Sequence, residues 1–346
     1  MIFEDKFTRC IEKFNNINKP DYTKSDINLY ADFVELISLF AKQDGVTLGD
    51  IQKRFFGEKD YDNINEDYIV EKYVDGVIFD EEYYENANEN CIAGKKDVDE
   101  VFLKEIFMRI EERITLYKGD YPFEYIRQEI LTLKKDLTDK NKLYISLLIS
   151  SILNIFESFE NDLTTDFEKI SYEVLKNFLP ERAIVREFGK NTQYKGTVVK
   201  KIMELATNLN LSVNEYELKQ IPKGNNQDGG LDIVGWLPFD DLCGNTIIFL
   251  CQCACGKKYE DKQHDVRKFD NYLVFYKTYP QYTLFIPYSL INIRDKKFYH
   301  SNVIEKDYLI FERKRIIEYF KCSEKLESFK IVDSIINLSS NPVLSS

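Results

Sequence analysis

The ten residues 246–255 constrain this chain more than any other stretch of it. Ile247, Ile248, Phe249 and Leu250 follow one another without a polar break. The run is about half as long as a membrane helix requires, and its β-branched and aromatic content favours a strand. A strand apolar on both sides needs cover on both sides. The sequence therefore predicts a mixed α/β sheet with helices on its two faces, not a half-solvated antiparallel sheet. The surrounding pattern agrees. A helix is predicted over 196–209, with Val199, Ile202, Met203 and Ala206 inward. Strands are predicted over 212–218, 231–236 and 246–255, then a helix over about 261–276, strands over 282–286 and 308–311, and a last helix over 313–320. The order is α-β-β-β-α-β.

The first half reads as helical. Ser25 is placed to cap a helix over 26–42, with Leu29, Phe33, Leu36, Ile37 and Phe40 at helical spacing. Thr47 starts a short helix through Phe55 and Phe56. The two resemble a helix-turn-helix in outline, although an antiparallel pair within a bundle is the plainer reading and the acidic surroundings disfavour DNA. A strong helix is predicted over 99–117, and further ones near 122–135 and 141–159. The last is apolar nearly all round and so belongs in the middle of a bundle. Thr165 to Glu168 fits a capping box opening a helix to Leu179, and Pro180 closes it. Short helices within 58–97, where Glu81, Glu82 and Glu85 cluster, are not placed by the pattern.

A chain of 346 residues suggests two domains. The expected division is an acidic all-α domain over 1–185, regulatory or partner-binding, an α/β domain over 186–325 and a tail over 326–346. Charge supports a division of labour. Residues 1–180 carry 23 Lys and Arg against 38 Asp and Glu, a balance of −15, while residues 181–346 carry 24 against 21, or +3. A polyanion would meet the second half, unless the asymmetry is only a solvated acidic surface. The first residues lack an apolar signal segment, so a cytoplasmic protein with seven reduced cysteines is expected. No membrane span is expected. Two histidines, His264 and His300, leave little room for His-rich metal sites.

The chemistry concentrates in two places. Gly229-Gly230-Leu231-Asp232 puts an acid in a short apolar strand, and Gln252 sits inside the apolar strand twenty residues later. Each is a poor occupant of a buried strand unless something binds it. Adjacent strands would let Asp232 and Gln252 converge, offering hard oxygens suited to Mg²⁺. Lys257, Lys258, Lys262, Arg267 and Lys268 form a basic cluster beside them, suited to phosphate contacts or to a solvated helix face. Cys251, Cys253 and Cys255, with Cys243 upstream, raise a zinc site as an alternative. Their strand spacing is awkward for one tetrahedral ion. His264 reads as a surface residue and Trp236 as core.

These residues resemble the PD-(D/E)XK nuclease superfamily, specifically its Mrr-like restriction-endonuclease branch, over about 190–320. There the pattern is Gly-Gly-hydrophobic-Asp followed by a strand bearing Gln-X-Lys. The resemblance implies a restriction-endonuclease-like fold and a Mg²⁺- or Mn²⁺-dependent DNA endonuclease, with Asp232 and Gln252 as catalytic metal ligands. Ala254 stands where the lysine would be, and Lys257, then Lys262, are the substitutes. Glu204 is the only acid in 196–211 to match a further metal-binding acid of the family. The resemblance extends to nuclease subunits of bacterial anti-phage systems, which implies DNA and a protein partner such as an ATPase or sensor subunit, and allows a homo-oligomer. The displaced lysine keeps a second reading open: an inactive subunit that retains the fold and binds DNA or protein. A DNA-mimicking acidic scaffold is a third.

Overall fold

The computed structural model describes residues 3–22, 26–57, 91–127, 129–189, 192, 194–222, 229–256, 259–299, 301, 304–321 and 326–338, with only the backbone of 91–98. Ser25, the acidic stretch 58–90, Lys257, Lys258 and His300 lie outside the described residues. Two compact units emerge, Met1–Ser158 with Lys330–Ser346, and Phe159–Phe329. Among the described residues no helix is long and apolar enough to cross a membrane.

The first unit contains α1 (Phe3–Asn15), α2 (Ile27–Ala41), β1 (Val46–Thr47), α3 (Leu48–Phe56), α4 (Cys91–Tyr117), β2 (Phe123–Ile126), β3 (Ile130–Leu133) and α5 (Asp139–Ser151). Thr47 caps α3 in a reciprocal capping box with Asp50. Helix α2 packs against α4, α5 and β3 and is buried on nearly every side. Arg54 of α3 donates to the Phe14 and Ile17 carbonyls. A buried α2 and an inward-turned Arg54 make the α2–α3 pair packing elements of this unit.

The unit is not all helical. Residues 122–135, expected as a helix, form the hairpin β2–β3, which with β1 makes a three-stranded sheet. Phe123, Leu131 and Leu133 suit either period; Arg127 at φ 53° makes the turn, and pairing of Val46 with Leu131 decides the outcome. The helix expected over 141–159 stops at Ser151. Ile152, Ile155 and Phe156 are buried, but in a connection. Of the expected tail, Glu327–Ile336 is a helix with Ile331, Val332 and Ile335 buried.

The second unit begins with α6 (Glu160–Phe178) and β4 (Ile184–Glu187). It continues through α7 (Val198–Asn208), β5 (Ser212–Val213), α8 (Glu215–Gln220), β6 (Ile233–Trp236), β7 (Ile248–Cys253), α9 (Tyr259–Val266), α10 (Phe269–Tyr272) and β8 (Leu273–Val274). The end is β9 (Gln281–Phe285), β10 (Ile291–Asn292), β11 (Lys297–Phe298), β12 (Tyr308–Phe311) and α11 (Arg313–Tyr319). The main sheet has the order β12-β9-β7-β6-β4. Strand β6 runs antiparallel to both of its neighbours, β4 and β7, whereas β7, β9 and β12 run parallel. Val234, Trp236, Ile248 and Leu250 turn one face toward Val198, Ile202 and Leu205 of α7, Val266 of α9 and Phe269 of α10. Helix α6 packs on β4, β6 and β7, and a Cβ on Gly235 would meet Leu175 and Leu179, which places α6 on the other face. The apolar strand is thus covered twice, as its composition requires.

The divide between units falls near residue 158, not 185, because α6 and β4 belong to the sheet. Residues 165–168 lie inside α6 and open nothing; the Asp166 carboxylate instead accepts from the Ser328 amide at 2.7 Å. The strand expected over 212–218 is two residues long, and Asn214 then caps α8. The edge place beside β6 goes to β4. The helix expected over 261–276 breaks into α9 and α10, and Met203 is exposed.

Candidate active site

Strands β6 and β7 pair Ile233 with Cys251, so one step further along the ladder Asp232 stands opposite Gln252. The side chains meet: Gln252 Nε2 donates to Asp232 Oδ2 at 3.1 Å, and the Cys253 amide donates to the same oxygen at 2.6 Å. The backbone of Asp232 is held from both neighbours. Its amide donates to the Cys251 carbonyl at 3.0 Å and its carbonyl accepts from the Phe188 amide at 2.7 Å. Asp232 is 9% and Gln252 5% exposed. Gln252 Oε1 is buried and has no hydrogen-bond partner among the described residues. Such an orphan costs about 1–3 kcal/mol, so this chain carries an unsatisfied acceptor in the same amide that touches a carboxylate.

The two glycines have a steric role here. Gly229 and Gly230 sit at φ 70° and 91°, and a Cβ on Gly230 would lie 2.5 Å from the Asp265 Cβ. They let the turn press against α9 and enter β6 with Asp232 in register.

One carboxylate and one amide oxygen fit a hard divalent cation that completes its shell with water or substrate oxygens. Among the described residues no three His, Cys, Asp or Glu side chains form a metal-binding group. The described cysteines do not supply one. Burial pushes the Cys251, Cys253 and Cys255 thiols far up, reinforced at Cys253 and Cys255 by the Asp232 and Glu168 carboxylates. Cys243 is exposed.

The remaining expected residues are scattered. Ala254 is buried. Lys262 and Lys268 each pair with Asp265, at 3.9 and 2.6 Å. Arg267 lies over the Tyr282 and Tyr308 rings and donates to the Lys306 carbonyl. Glu204 is on the exposed side of α7. His264 is exposed and Trp236 buried, as expected.

Two other residues have a better position than some of these. Lys201, 4% exposed on α7, donates to the carbonyls of Gly189 at 3.0 Å and Phe188 at 3.5 Å. Phe188 is the residue whose amide donates to the Asp232 backbone carbonyl, so the buried Lys201 is tied to the segment that pairs with Asp232. Glu168 of α6 is exposed, and its charge reaches the same thiols as that of Asp232. Lys201 had a signal in the sequence, a lysine at the helix positions that also hold Val198 and Leu205. Glu168 had none until α6 was placed on the sheet. Comparison with protein-family models, curated proteins and solved structures found no match to this chain.

Proposed function

We propose that the second unit is a metal-dependent DNA endonuclease of restriction-endonuclease-like fold, hydrolysing phosphodiester bonds. The observation that carries this reading is the buried Asp232–Gln252 pair with its orphan amide oxygen. The main sheet is compatible with it: with α7, β5 and α8 set aside between β4 and β6, and α10 and β8 between α9 and β9, the order α6-β4-β6-β7-α9-β9 reads α-β-β-β-α-β, begun by α6 and not by the helix over 196–209. Asp232 and Gln252 Oε1 would hold Mg²⁺ or Mn²⁺. Such an ion acts as a Lewis acid on the phosphate and makes bound water a better nucleophile. Gly229 and Gly230 hold Asp232 in register, the Cys253 amide orients its carboxylate, and Lys201 fixes the Phe188 segment that pairs with the Asp232 backbone. The basic residues Lys257, Lys258 and Lys262 would meet the DNA backbone. A role in anti-phage defence, with an ATPase or sensor subunit as partner, belongs to the same proposal.

Plasmid digestion with Mg²⁺, with and without EDTA, tests it. Cleavage should require the metal and vanish in Asp232→Ala, while far-UV circular dichroism stays unchanged. Cutting by Asp232→Ala at the wild-type rate would remove this site from consideration. One observation favours a second reading: Ala254 occupies the place of a strand lysine, which suits a subunit that binds DNA without cutting it. DNA binding without metal-dependent cleavage would select that reading.

A further inference from the structure

From the first unit alone we infer that α1 forms one wall of a binding site for a small anion carrying a chain of phosphates. The helix has three sectors. Phe7, Cys10 and Phe14 are buried, Glu4, Asp5 and Glu12 lie away from them, and Lys6, Arg9 and Lys13 follow one another at i, i+3 and i+7. That basic sector lines a cavity of about 410 Å³ completed by Ile155, Glu157 and Ser158. The volume lies within the range of small-molecule sites, about 300–1,000 Å³.

The charge is organised for a ligand with more than one negative group. Lys13 donates to Glu157 at 2.6 Å, and that contact holds the Glu157 carboxyl below its usual range. Arg9 has no hydrogen-bond or ion-pair partner among the described residues. Lys6 and Lys13 both act to lower the pKa of the buried Cys10 thiol, which burial nonetheless pushes up to about 11. Three cations and one carboxylate line the cavity, in a half of the chain whose balance is −15. A diffuse anion is repelled by that half, so occupancy must come from direct charge-assisted contacts. Seven residues of helix span about 10 Å. A single phosphate would meet one or two of these cations, whereas a di- or triphosphate meets all three. Ile155 supplies an apolar wall for what the phosphates are attached to.

Isothermal titration of the full chain with tripolyphosphate, and separately with ATP, tests this at fixed ionic strength in EDTA, where no metal joins Asp232. Saturable one-to-one binding is expected. Arg9→Glu should weaken it roughly ten- to a hundredfold. Lys104→Glu, a reversal at an exposed lysine of α4 paired with Glu100, should leave it unchanged. Tripolyphosphate and ATP binding equally would identify the phosphate chain as the ligand; ATP binding more tightly would extend the site to the nucleoside. Lack of saturable binding, equal binding of sulfate, or equal loss in both variants overturns the inference. Both substituted side chains are exposed, and circular dichroism checks that each variant folds.

Discussion

Each unit buries a polar cluster, and the two differ in which kind of atom is left over. In the first, Arg113 Nη1 lies 2.7 Å from Asp32 Oδ1 and 2.8 Å from Glu35 Oε1. Tyr121 and Tyr144 donate to Glu35, and Ser151 donates to Asp32 Oδ2. Every carboxylate oxygen is satisfied, and the leftover atom is a donor, Arg113 Nε. Burial alone would lower the Arg113 pKa, but Glu35 and Asp32 outweigh it and hold the guanidinium charged. In the second unit the leftover atom is an acceptor, Gln252 Oε1, beside a carboxylate. A cluster that already holds its cation is a structural core. An orphan acceptor next to an acid is a place that a cation would complete.

The largest effect expected from that contrast is on activity. Asp232→Asn keeps the shape and removes the charge, so plasmid nicking should fall on the order of a thousandfold with little change in the denaturation midpoint. An unchanged rate would make the second cluster as structural as the first. Arg113→Met should do the reverse. It leaves Asp32 and Glu35 buried without their cation and should cost about 3–5 kcal/mol in urea unfolding. A loss below about 1 kcal/mol would mean the carboxylates do not depend on it.

Another buried carboxylate sharpens the comparison through pH. Glu312 caps α11, accepts from the Arg315 amide at 3.1 Å and the Leu290 amide at 3.3 Å, and is fully buried. Burial raises its pKa from the usual 4.5 to about 7, against the lowering by those amides and by Arg313 and Arg315. The folded state therefore holds this proton more tightly than the unfolded one. The stability it lends is present below about pH 4.5 and is lost as pH rises through about 7, up to about 3 kcal/mol. Glu312→Gln should flatten that part of the stability profile between pH 5 and 8, and an identical slope in both proteins would contradict it. The smallest effect is at Gln252→Met. Removing a half-satisfied amide should change stability by no more than about 1 kcal/mol, yet abolish any rise in Tm on adding Mg²⁺. A cost of several kcal/mol would show that the amide is there for the fold.

Segments whose local signal pointed one way were legible from the chain alone. Helices α2 and α4 follow from periodicity, and α3 from Thr47 at its start. Strands β6, β7, β9 and β12 follow from their short apolar runs, and Asp232 with Gln252 from their chemical misfit within such runs. A buried strand can have only backbone-satisfied or specifically partnered groups, and that rule operates within a few residues. What the chain could not show was set by partners far away in sequence. Strand β4, with its half-polar Ile184–Glu187, is a strand because β6 offers an unpaired edge, and α6 joins the second unit because Leu175 and Leu179 fill the space above Gly235. The hairpin β2–β3 exists because β1 pairs with it. The same long-range packing buried Lys201 beside Phe188, brought the charge of Glu168 to the cysteines of β7, and turned Arg267 onto two tyrosines. Local composition determines which residues must be covered and which must be partnered. Only the closing of the sheet, where the loop entropy of distant segments is offset by shared burial, decides which residues do the covering and which groups end up partnering Asp232.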